Sequence, residues 1–394
     1  MKMVYMDNAA TTKVAPEVFD AMLPYFMEQY GNPASTYEFS GKIANEVARA
    51  RKTIASSINA SENEIFFTSG GSESDNWAIK GIADSLREKG NHIITTKIEH
   101  HAVLHTCEFL EKHGYEVTYL PVDDKGFVDP AELEAAIRPE TILISVMFAN
   151  NEIGTVEPVE KIGKIAHEHG ILFHTDAVQA YAHLPIDVKA MDIDLMSASA
   201  HKINGPKGVG FLYVRKGIKL SNLIHGGAQE KGKRAGTTNA AGIIGFAKAA
   251  ELNVSRMEET IAHETRIRDL LIERILEEIP YSRLNGDREK RLSNNVNICF
   301  RFVEGESLLM LLDGKGICAS SGSACTSGSL DPSHVLLAIG LPHEIAHGSL
   351  RLTISEETTE EDVSYVVDSL REIITRLRSM SPLYEDFVKK GDNK

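Results

Sequence analysis

The chain has 394 residues, of which 42% are hydrophobic and 25% charged, the composition of an ordinary folded protein of about two domains. The formal net charge of −14 argues against nucleic acid or an anionic membrane as the main partner. No apolar run approaches the length of a membrane span or of a signal-peptide core. We therefore expect a cytoplasmic protein with reduced cysteines, no membrane association and no direct nucleic-acid partner.

Short apolar runs alternate with helical patterns from about residue 64 to residue 185. Before them, one helix is predicted to carry Val18, Met22 and Phe26 on one face, and a second covers residues 43–58. Alternating strands and helices indicate βαβ units, and hence a largely parallel sheet with helices on both faces. The predicted strands are residues 65–67, 92–95, 117–120, 142–148, 171–173, 193–196 and 208–214, and the predicted helices between them are residues 77–86, 102–113, 130–137 and 159–169.

The last third of the chain predicts a second α/β region. A helical stretch from about residue 240 to 279 leads into it, and residues 295–300 predict a strand. Thr358 and Glu361 form a capping-box pattern, which marks the start of the last helix.

Residues 197–210 place a lysine among small residues after a predicted strand. Lys202 follows a histidine and precedes an Asn-Gly-Pro corner. A lysine that loses water in such a place becomes an amine nucleophile able to form a Schiff base. An exposed lysine in a glycine-rich loop is the alternative for this stretch taken alone.

Residues 68–74, Thr-Ser-Gly-Gly-Ser-Glu-Ser, lie between a predicted strand and a predicted helix. Glycines let backbone N–H groups approach an anion, the helix N-terminus attracts negative charge, and the Ser72 hydroxyl can donate another bond. The motif is neither a Walker motif nor a dinucleotide fingerprint. It therefore fits a phosphate site or a plain strand-to-helix turn.

Two further candidates follow predicted strands. Asp176 lies where a carboxylate can keep a pyridinium nitrogen protonated and so make a ring an electron sink, or can simply cap a helix. His100 is placed to stack on a planar cofactor or to carry protons. A metal site at His100 and His101 is disfavoured, because no third ligand stands at metal spacing.

The four cysteines divide into one reactive candidate and three structural ones. Cys325 lies within a run of Ser, Gly and Ala at residues 320–329, where a thiol is available for attack. Cys318 closes an apolar run and is expected to be buried, and Cys107 and Cys299 fall on core-facing patterns.

Taken in order, these motifs resemble the class V aminotransferase superfamily and, within it, the cysteine desulfurases of the NifS/IscS type. The resemblance runs from residues 5–12 to the C-terminal helix. Residues 199–208 are similar to the Schiff-base segment of that family, and residues 320–336 to its longer, group I sulfur-carrying loop. The resemblance implies an α/β protein of the pyridoxal-phosphate-dependent fold type I, with a mainly parallel seven-stranded sheet in a large domain and a smaller α/β domain. The large cofactor-binding domain would be residues 14–258, and the small domain, which carries the cysteine loop, residues 1–13 and 259–394.

The resemblance also implies roles for individual residues. Lys202 would hold the cofactor, Asp176 would face its pyridine nitrogen, and His100 would stack on its ring and carry protons. Cys325 would take the sulfur of L-cysteine as a persulfide and leave L-alanine. The other implied contacts are Gly71, Ser72, Ser199, His201 and Thr237 of the partner subunit around the phosphate, Gln179 at the phenolic oxygen, Asn151 near the ring, and Asn32 and Arg351 at the substrate carboxylate.

The implied assembly is a homodimer that passes sulfur to an iron–sulfur scaffold protein of the U type or to a tRNA-thiolation acceptor. No resident metal is expected, and Cys325 is the one candidate for a transient iron–sulfur ligand. Tyr37, Lys231 and Ala235 depart from the residues more usual in the family, as do residues 355–358, but the catalytic set is intact. Another enzyme of the superfamily, such as an aminotransferase or a selenocysteine lyase, and a non-catalytic scaffold are the alternatives.

Overall fold

The computed structural model describes residues 2–321 and 332–391, which form a mixed α/β structure. The strands in these ranges are β1 (Val4–Tyr5), β2 (Ile65–Thr68), β3 (His92–Thr96), β4 (Glu116–Leu120), β5 (Thr141–Ser145), β6 (Leu172–Asp176), β7 (Leu195–Ser199), β8 (Gly210–Val214), β9 (Ser282–Leu284), β10 (Asn295–Phe300), β11 (Ile317–Cys318) and β12 (Ser349–Thr353). The helices are α1 (Pro16–Met22), α2 (Pro24–Met27), α3 (Glu38–Ser56), α4 (Gly71–Ser85), α5 (His101–Glu111), α6 (Pro130–Ala135), α7 (Val159–Glu168), α8 (Ala240–Ser255), α9 (Met257–Glu278), α10 (Gly305–Asp313), α11 (His334–Ala338), α12 (His343–Ala346), α13 (Glu360–Ser379) and α14 (Pro382–Gly391). None of these helices is long and apolar enough to cross a membrane.

The largest sheet has seven strands in the order β2-β8-β7-β6-β5-β3-β4. Its neighbours are parallel except for β8, which is antiparallel to both β2 and β7. The mainly parallel seven-stranded sheet predicted from the sequence is therefore confirmed. The carboxyl ends of its parallel strands share one edge, and the register that pairs Asp176 with Ser197 brings the ends of β6 and β7 together there.

Two apolar cores cover the faces of this sheet. Phe173 of β6 and Phe246 of α8 belong to one core, and Trp77 of α4 and Cys107 of α5 belong to the other. Successive residues of a strand point to opposite faces, so a central strand needs apolar residues at nearly every position. Helices on both faces leave the carboxyl ends of the strands as the edge at which a ligand can bind.

The C-terminal part forms a second layer of structure with its own core. The antiparallel sheet β12-β10-β9 packs with α9, α10 and α13 around Ile298 and Leu350. The N-terminal strand β1 joins this part through a parallel pair with β11. Cys299 is buried as predicted, whereas Cys318 is only partly buried. The domain boundaries given above stay a prediction.

Three predicted helical segments are present in the structure but differ in extent from the prediction. The first helix ends at Met22 because Pro24 has no N–H to continue it, and Phe26 is 57% exposed. The stretch 240–279 is two helices, because Arg256 leaves the helical conformation at φ −110° and ψ 7°. The last capping box uses Thr359 and Asp362, one residue beyond the predicted pair.

Element ends near the sheet edge also differ from the prediction. α4 begins six residues earlier than predicted, at Gly71, and β7 continues to Ser199 instead of ending at Met196. In the other direction, β5 ends at Ser145, three residues before the predicted end. These shifts matter because they decide which side chains reach the edge.

Candidate active site

Lys202 closes a short 3₁₀ turn directly after β7 and is partly buried. Its Nζ donates hydrogen bonds to the backbone oxygens of Ala9 and Ala10, at 2.5 and 2.8 Å. The Nε2 of Gln179 donates to the same Ala9 oxygen at 3.0 Å. The N-terminal segment thus holds the lysine amine beside Gln179, and the interpretation as an exposed loop lysine is wrong.

Asp176 ends β6 and is 6% exposed. Its Oδ1 accepts a hydrogen bond from the Val178 N–H at 2.9 Å. Burial raises the pKa of Asp176 to about 6, and the Val178 N–H and the positive charge of Lys202 act in the opposite direction. An oxygen of this carboxyl lies within 4.8 Å of a ring nitrogen of His100. The structure therefore brings Asp176, Lys202 and His100 to one place.

His100 precedes α5 and caps it. Its Nδ1 accepts a hydrogen bond from the Ala102 N–H at 3.1 Å, so in the neutral ring Nε2 carries the proton. Burial and the charge of Lys202 lower the pKa of His100 to about 4. A neutral ring with a fixed tautomer suits both stacking and proton transfer.

Four of the five predicted phosphate contacts lie around one cavity of about 410 Å³ at the N-terminus of α4. Its walls include Gly71, Ser72, Ser199 and His201. A Cβ on Gly71 would stand 2.6 Å from Cγ2 of Val178, so only glycine allows the helix to start this close to the end of β6. Backbone N–H groups at such a helix start favour an anion.

Cationic and hydroxyl groups complete this cavity. The Lys207 side chain and Thr11 also line it, and Nδ1 of His201 lies 3.1 Å from the Thr11 hydroxyl. Burial, with the charges of Lys202 and Lys207, lowers the pKa of His201 to about 4. Lys207 therefore supplies positive charge at the wall of the cavity, beside a neutral His201.

Thr237 lies in a segment fastened to the start of α4. The Arg234 guanidinium bonds both carboxylate oxygens of Glu73, at 2.7 and 2.9 Å. Within its own chain, Thr237 lines a second cavity of about 210 Å³, which shares Ser69 and Gly208 with the first. This is one chain, so a contribution of Thr237 of the partner subunit stays a prediction.

Arg351, on β12, is 3% exposed and is held from two sides. Its Nη2 donates to Oδ1 of Asp7 at 2.9 Å, and its Nη1 donates to the backbone oxygen of Asn151 at 3.0 Å. Its Nε has no hydrogen-bond partner within the described ranges. A buried guanidinium with an unused donor can bind a carboxylate.

The structure does not place Asn32 with the site residues around Lys202 and Arg351. It is exposed, and its Oδ1 accepts a hydrogen bond from the Ala34 N–H at 3.0 Å. Its role beside Arg351 stays a prediction.

Cys325 lies outside the described residues, but the chain on either side of it contacts the site. Ser320 exchanges two backbone hydrogen bonds with Arg351, at 3.2 and 2.7 Å. After the cysteine, the Ser333 hydroxyl donates to the buried carboxyl of Glu152. Burial raises the pKa of Glu152 to about 7, while Ser333 and Arg351 lower it. The residues on both sides of the cysteine segment are therefore hydrogen-bonded to the site, Ser320 to Arg351 and Ser333 to Glu152.

Sequence reasoning missed three acidic residues of the site, Asp7, Asp75 and Glu152. Each stands next to a motif that was recognised, but a carboxyl shows its burial only when its tertiary neighbours are known. Asp75 is 1% exposed, and it forms with His100 and Asp176 a group whose ligand atoms lie within 4.8 Å of one another. His101 does not belong to this group, so the metal pair His100–His101 gains no support.

Comparison with known proteins agrees with this geometry. The aminotransferase class-V family matches residues 4–366. A cysteine desulfurase IscS of Clostridium botulinum (strain Hall) is 59% identical over 395 residues, covering 100% of both chains. The IscS of Methanosarcina thermophila is 59% identical over 382 residues, covering 97% of this chain and 94% of that one.

Solved structures give the same result. A NifS-like protein has a TM-score of 0.90 at 38% identity, covering 95% of this chain and 100% of that one. SspA in complex with cysteine has a TM-score of 0.81 at 40% identity, covering 91% of this chain and 100% of that one. The chain is therefore a member of the class V aminotransferase family.

Proposed function

We propose that this chain is a cysteine desulfurase, which takes the sulfur from L-cysteine, releases L-alanine and holds the sulfur as a persulfide on Cys325. The observation that carries the proposal is the meeting of Lys202, Asp176 and His100 at one sheet edge. The full-length relatives that are 59% identical and named cysteine desulfurases support the same reaction.

The residues at this edge fit pyridoxal phosphate. The cavity at the start of α4 offers N–H groups and lysine charge for a phosphate, and the buried Asp176 suits a pyridine nitrogen. Lys202 offers the amine that the aldehyde requires, with Gln179 beside it. When bound, this cofactor supplies an electron sink for the bonds around the substrate α-carbon.

Each of four side chains has a separate role in the proposed reaction. The Asp176 carboxylate holds a proton on the ring nitrogen, and the Lys202 Nζ removes the α-proton of the substrate. The Nε2 of His100, with its tautomer fixed by the Ala102 N–H, moves protons beside the ring. Arg351 binds the substrate carboxylate through the nitrogen that Asp7 and Asn151 leave unused.

Sulfur transfer falls to Cys325. Its thiolate attacks the substrate sulfur, so that an S–S bond forms and the C–S bond breaks. The electron pair of the C–S bond stays with the carbon fragment, which takes a proton and leaves as alanine. Cys325 is five residue steps from Ser320, so a fully extended chain would reach at most about 18 Å from the bridge partner of Arg351.

The assembly and the partners follow as further parts of the proposal. A homodimer would bring Thr237 of the partner subunit to the phosphate. The persulfide sulfur would pass to an iron–sulfur scaffold protein of the U type or to a tRNA-thiolation acceptor in the cytoplasm. During transfer to a scaffold protein, Cys325 would be a transient ligand of the iron–sulfur cluster. The intact set of Lys202, Asp176 and His100 argues against a non-catalytic scaffold.

Labelled cysteine tests the function directly. Holoenzyme incubated with ³⁵S-cysteine should carry the label on Cys325, located by peptide mass mapping, and release alanine. Cys325→Ser should keep the visible absorbance of the cofactor but form no persulfide, and Lys202→Ala should lose both the lysine-linked absorbance and alanine release. Cys318→Ser, which changes a thiol next to the same segment, is the matched control and should react normally. Persulfide formation in Cys325→Ser, or alanine release by Lys202→Ala, would contradict these roles.

A further inference from the structure

A second carboxyl lies buried behind Asp176. Asp75, on α4, is 1% exposed, and an oxygen of its carboxyl lies within 4.8 Å of an oxygen of Asp176. Its Oδ1 has no hydrogen-bond partner within the described ranges, and the His174 Nε2 at 3.7 Å is too distant to be one. A buried acceptor left without a donor is costly, so this oxygen needs a proton of its own.

A chain of hydrogen bonds across three strands ends on the other side of Asp75. His174, on β6, has Nδ1 at 2.8 Å from the Ser145 hydroxyl and Nε2 at 3.0 Å from the Ser197 hydroxyl. Burial lowers the pKa of His174 far enough to keep its ring neutral, so one nitrogen donates and the other accepts.

The direction of this chain follows from its end. The Ser197 hydroxyl lowers the pKa of Asp75 as a hydrogen-bond donor to its carboxyl, which opposes the effect of burial, and a hydroxyl that donates there accepts from the Nε2 of His174. The Nδ1 of His174 then accepts from Ser145. Ser145 therefore donates to His174, His174 donates to Ser197, and Ser197 donates to one of the two carboxyl oxygens of Asp75.

The charges around the pair decide where its proton sits. Two carboxylates this close in a buried site do not both ionise. Burial, and then the charge of Asp176, raise the pKa of Asp75 well above its usual value, with Glu99 acting in the same direction. The Val178 N–H and Lys202 favour the charged form of Asp176 instead. The negative charge belongs on Asp176 and the proton on Asp75.

We propose that Asp75 is a positioning residue that stays protonated and offers its hydroxyl to Asp176, with the Ser145–His174–Ser197 series holding its other oxygen. The pair then carries one negative charge, fixed on the carboxyl that faces the cofactor nitrogen. This inference rests on the proposed function only through the role of Asp176.

Two substitutions of Asp75 test whether its carboxyl acts as a neutral hydrogen-bond donor or as a negative charge. Asp75→Asn keeps a carbonyl oxygen for Ser197 and an N–H donor for Asp176, whereas Asp75→Ala keeps neither. The dissociation constant of pyridoxal phosphate from the apoprotein, measured by absorbance titration, should change less than about threefold in Asp75→Asn and should rise about tenfold or more in Asp75→Ala. Glu264→Gln, which changes a buried carboxyl of α9 that is bonded to Ser293, is the matched control and should bind as wild type.

Infrared spectra of the apoprotein give a readout that does not depend on the cofactor. Wild type should show one protonated-carboxyl C=O stretch more than Asp75→Asn, and the difference spectrum separates it from the bands of other buried carboxyls such as Glu152. The pH at which this difference disappears reports the titration of the pair. The infrared spectrum shows whether Asp75 is protonated even if circular dichroism shows that the Asp75→Ala protein does not fold.

Three results would overturn the proposal: equal loss of affinity in Asp75→Asn and Asp75→Ala, unchanged affinity in a folded Asp75→Ala, or no carboxyl band lost in Asp75→Asn. Failure of the proposed function is a different result. In that case Asp176→Asn binds the cofactor as wild type does, and the infrared difference between wild type and Asp75→Asn still reports on Asp75.

Discussion

The three nitrogens of the Arg351 guanidinium differ in their hydrogen bonding within the described residues. Nη2 donates to a carboxylate, Nη1 donates to a backbone oxygen, and Nε has no partner among residues 2–321 and 332–391. Asp7 and Asn151 therefore fix the plane of the guanidinium without using all of its donors. A planar fork fixed in this way presents a geometry that a flexible ammonium group cannot reproduce.

Arg351→Lys should therefore raise the KM for cysteine about tenfold or more, although it keeps the charge. The dissociation constant of the cofactor should not change, because the phosphate cavity is built from other residues. Steady-state kinetics and an absorbance titration measure the two quantities. Arg215→Lys, which alters an arginine bonded to Asp194 and to the Ile193 oxygen, is the matched control. An unchanged KM in a folded Arg351→Lys protein would exclude this arginine as the carboxylate site.

At the scale of elements, the start of α4 and the end of β6 form one unit. Gly71 begins the helix against Val178, and the N–H of Val178 holds the Asp176 carboxyl. A side chain at position 71 would therefore act at once on the cavity at the start of α4 and on the proposed contact of Asp176 with the ring nitrogen.

Gly71→Ala places a Cβ 2.6 Å from the Val178 side chain, so helix and strand end must separate. We expect cofactor affinity to fall about tenfold or more, and the free energy of unfolding to fall by about 1–3 kcal/mol, the usual effect of overpacking. Gly41→Ala is the control, because a Cβ there meets nothing within 4 Å on helix α3. It should leave affinity unchanged and raise stability by up to about 1 kcal/mol. Equal behaviour of the two variants would show that the close approach is unimportant.

The sequence predicted the strands of the large sheet well where they are apolar and poorly where they reach the site. β7 continues through Ser197 to Ser199, small residues that are fully buried but carry no hydrophobic signal. α4 begins in a polar stretch whose Ser74 bonds the backbone oxygen of Phe211, a contact 137 residues away. Lys202, Asp176 and His100 were found because residue type and strand-end position mark them, whereas Asp75 needs its burial to be known.

At the scale of the whole molecule, the first dozen residues join the two parts of the chain. Ala9 accepts from Lys202 across 193 positions, and Asp7 pairs with Arg351 across 344. The strand β1 adds a parallel pair with β11. No local pattern predicts such contacts, because their register depends on how the C-terminal part packs on the large sheet.

The Arg234–Glu73 pair carries a consequence for assembly. It fixes the segment of Thr237 beside the start of α4, where Thr237 lines a cavity of its own chain that shares Ser69 with the phosphate cavity. Thr237 can therefore serve the site of its own chain or that of a second copy. A homodimer in which each copy completes the other's site differs from a homodimer with two self-contained sites in the activity that mixed dimers of two inactive variants recover.

Mixed dimers distinguish these arrangements. Lys202→Ala and Thr237→Asp should each be inactive alone, the first because the amine is missing and the second because a carboxylate repels the phosphate. If Thr237 serves the opposite site, dimers from co-expression of the two variants contain one intact site, and about one quarter of wild-type alanine release should return, because half of the dimers are mixed and one of their two sites works. If Thr237 serves its own site, every site in the mixture carries a defect and no activity returns. Co-expression of differently tagged Lys202→Ala chains, which form the same dimers without an intact site, sets the baseline.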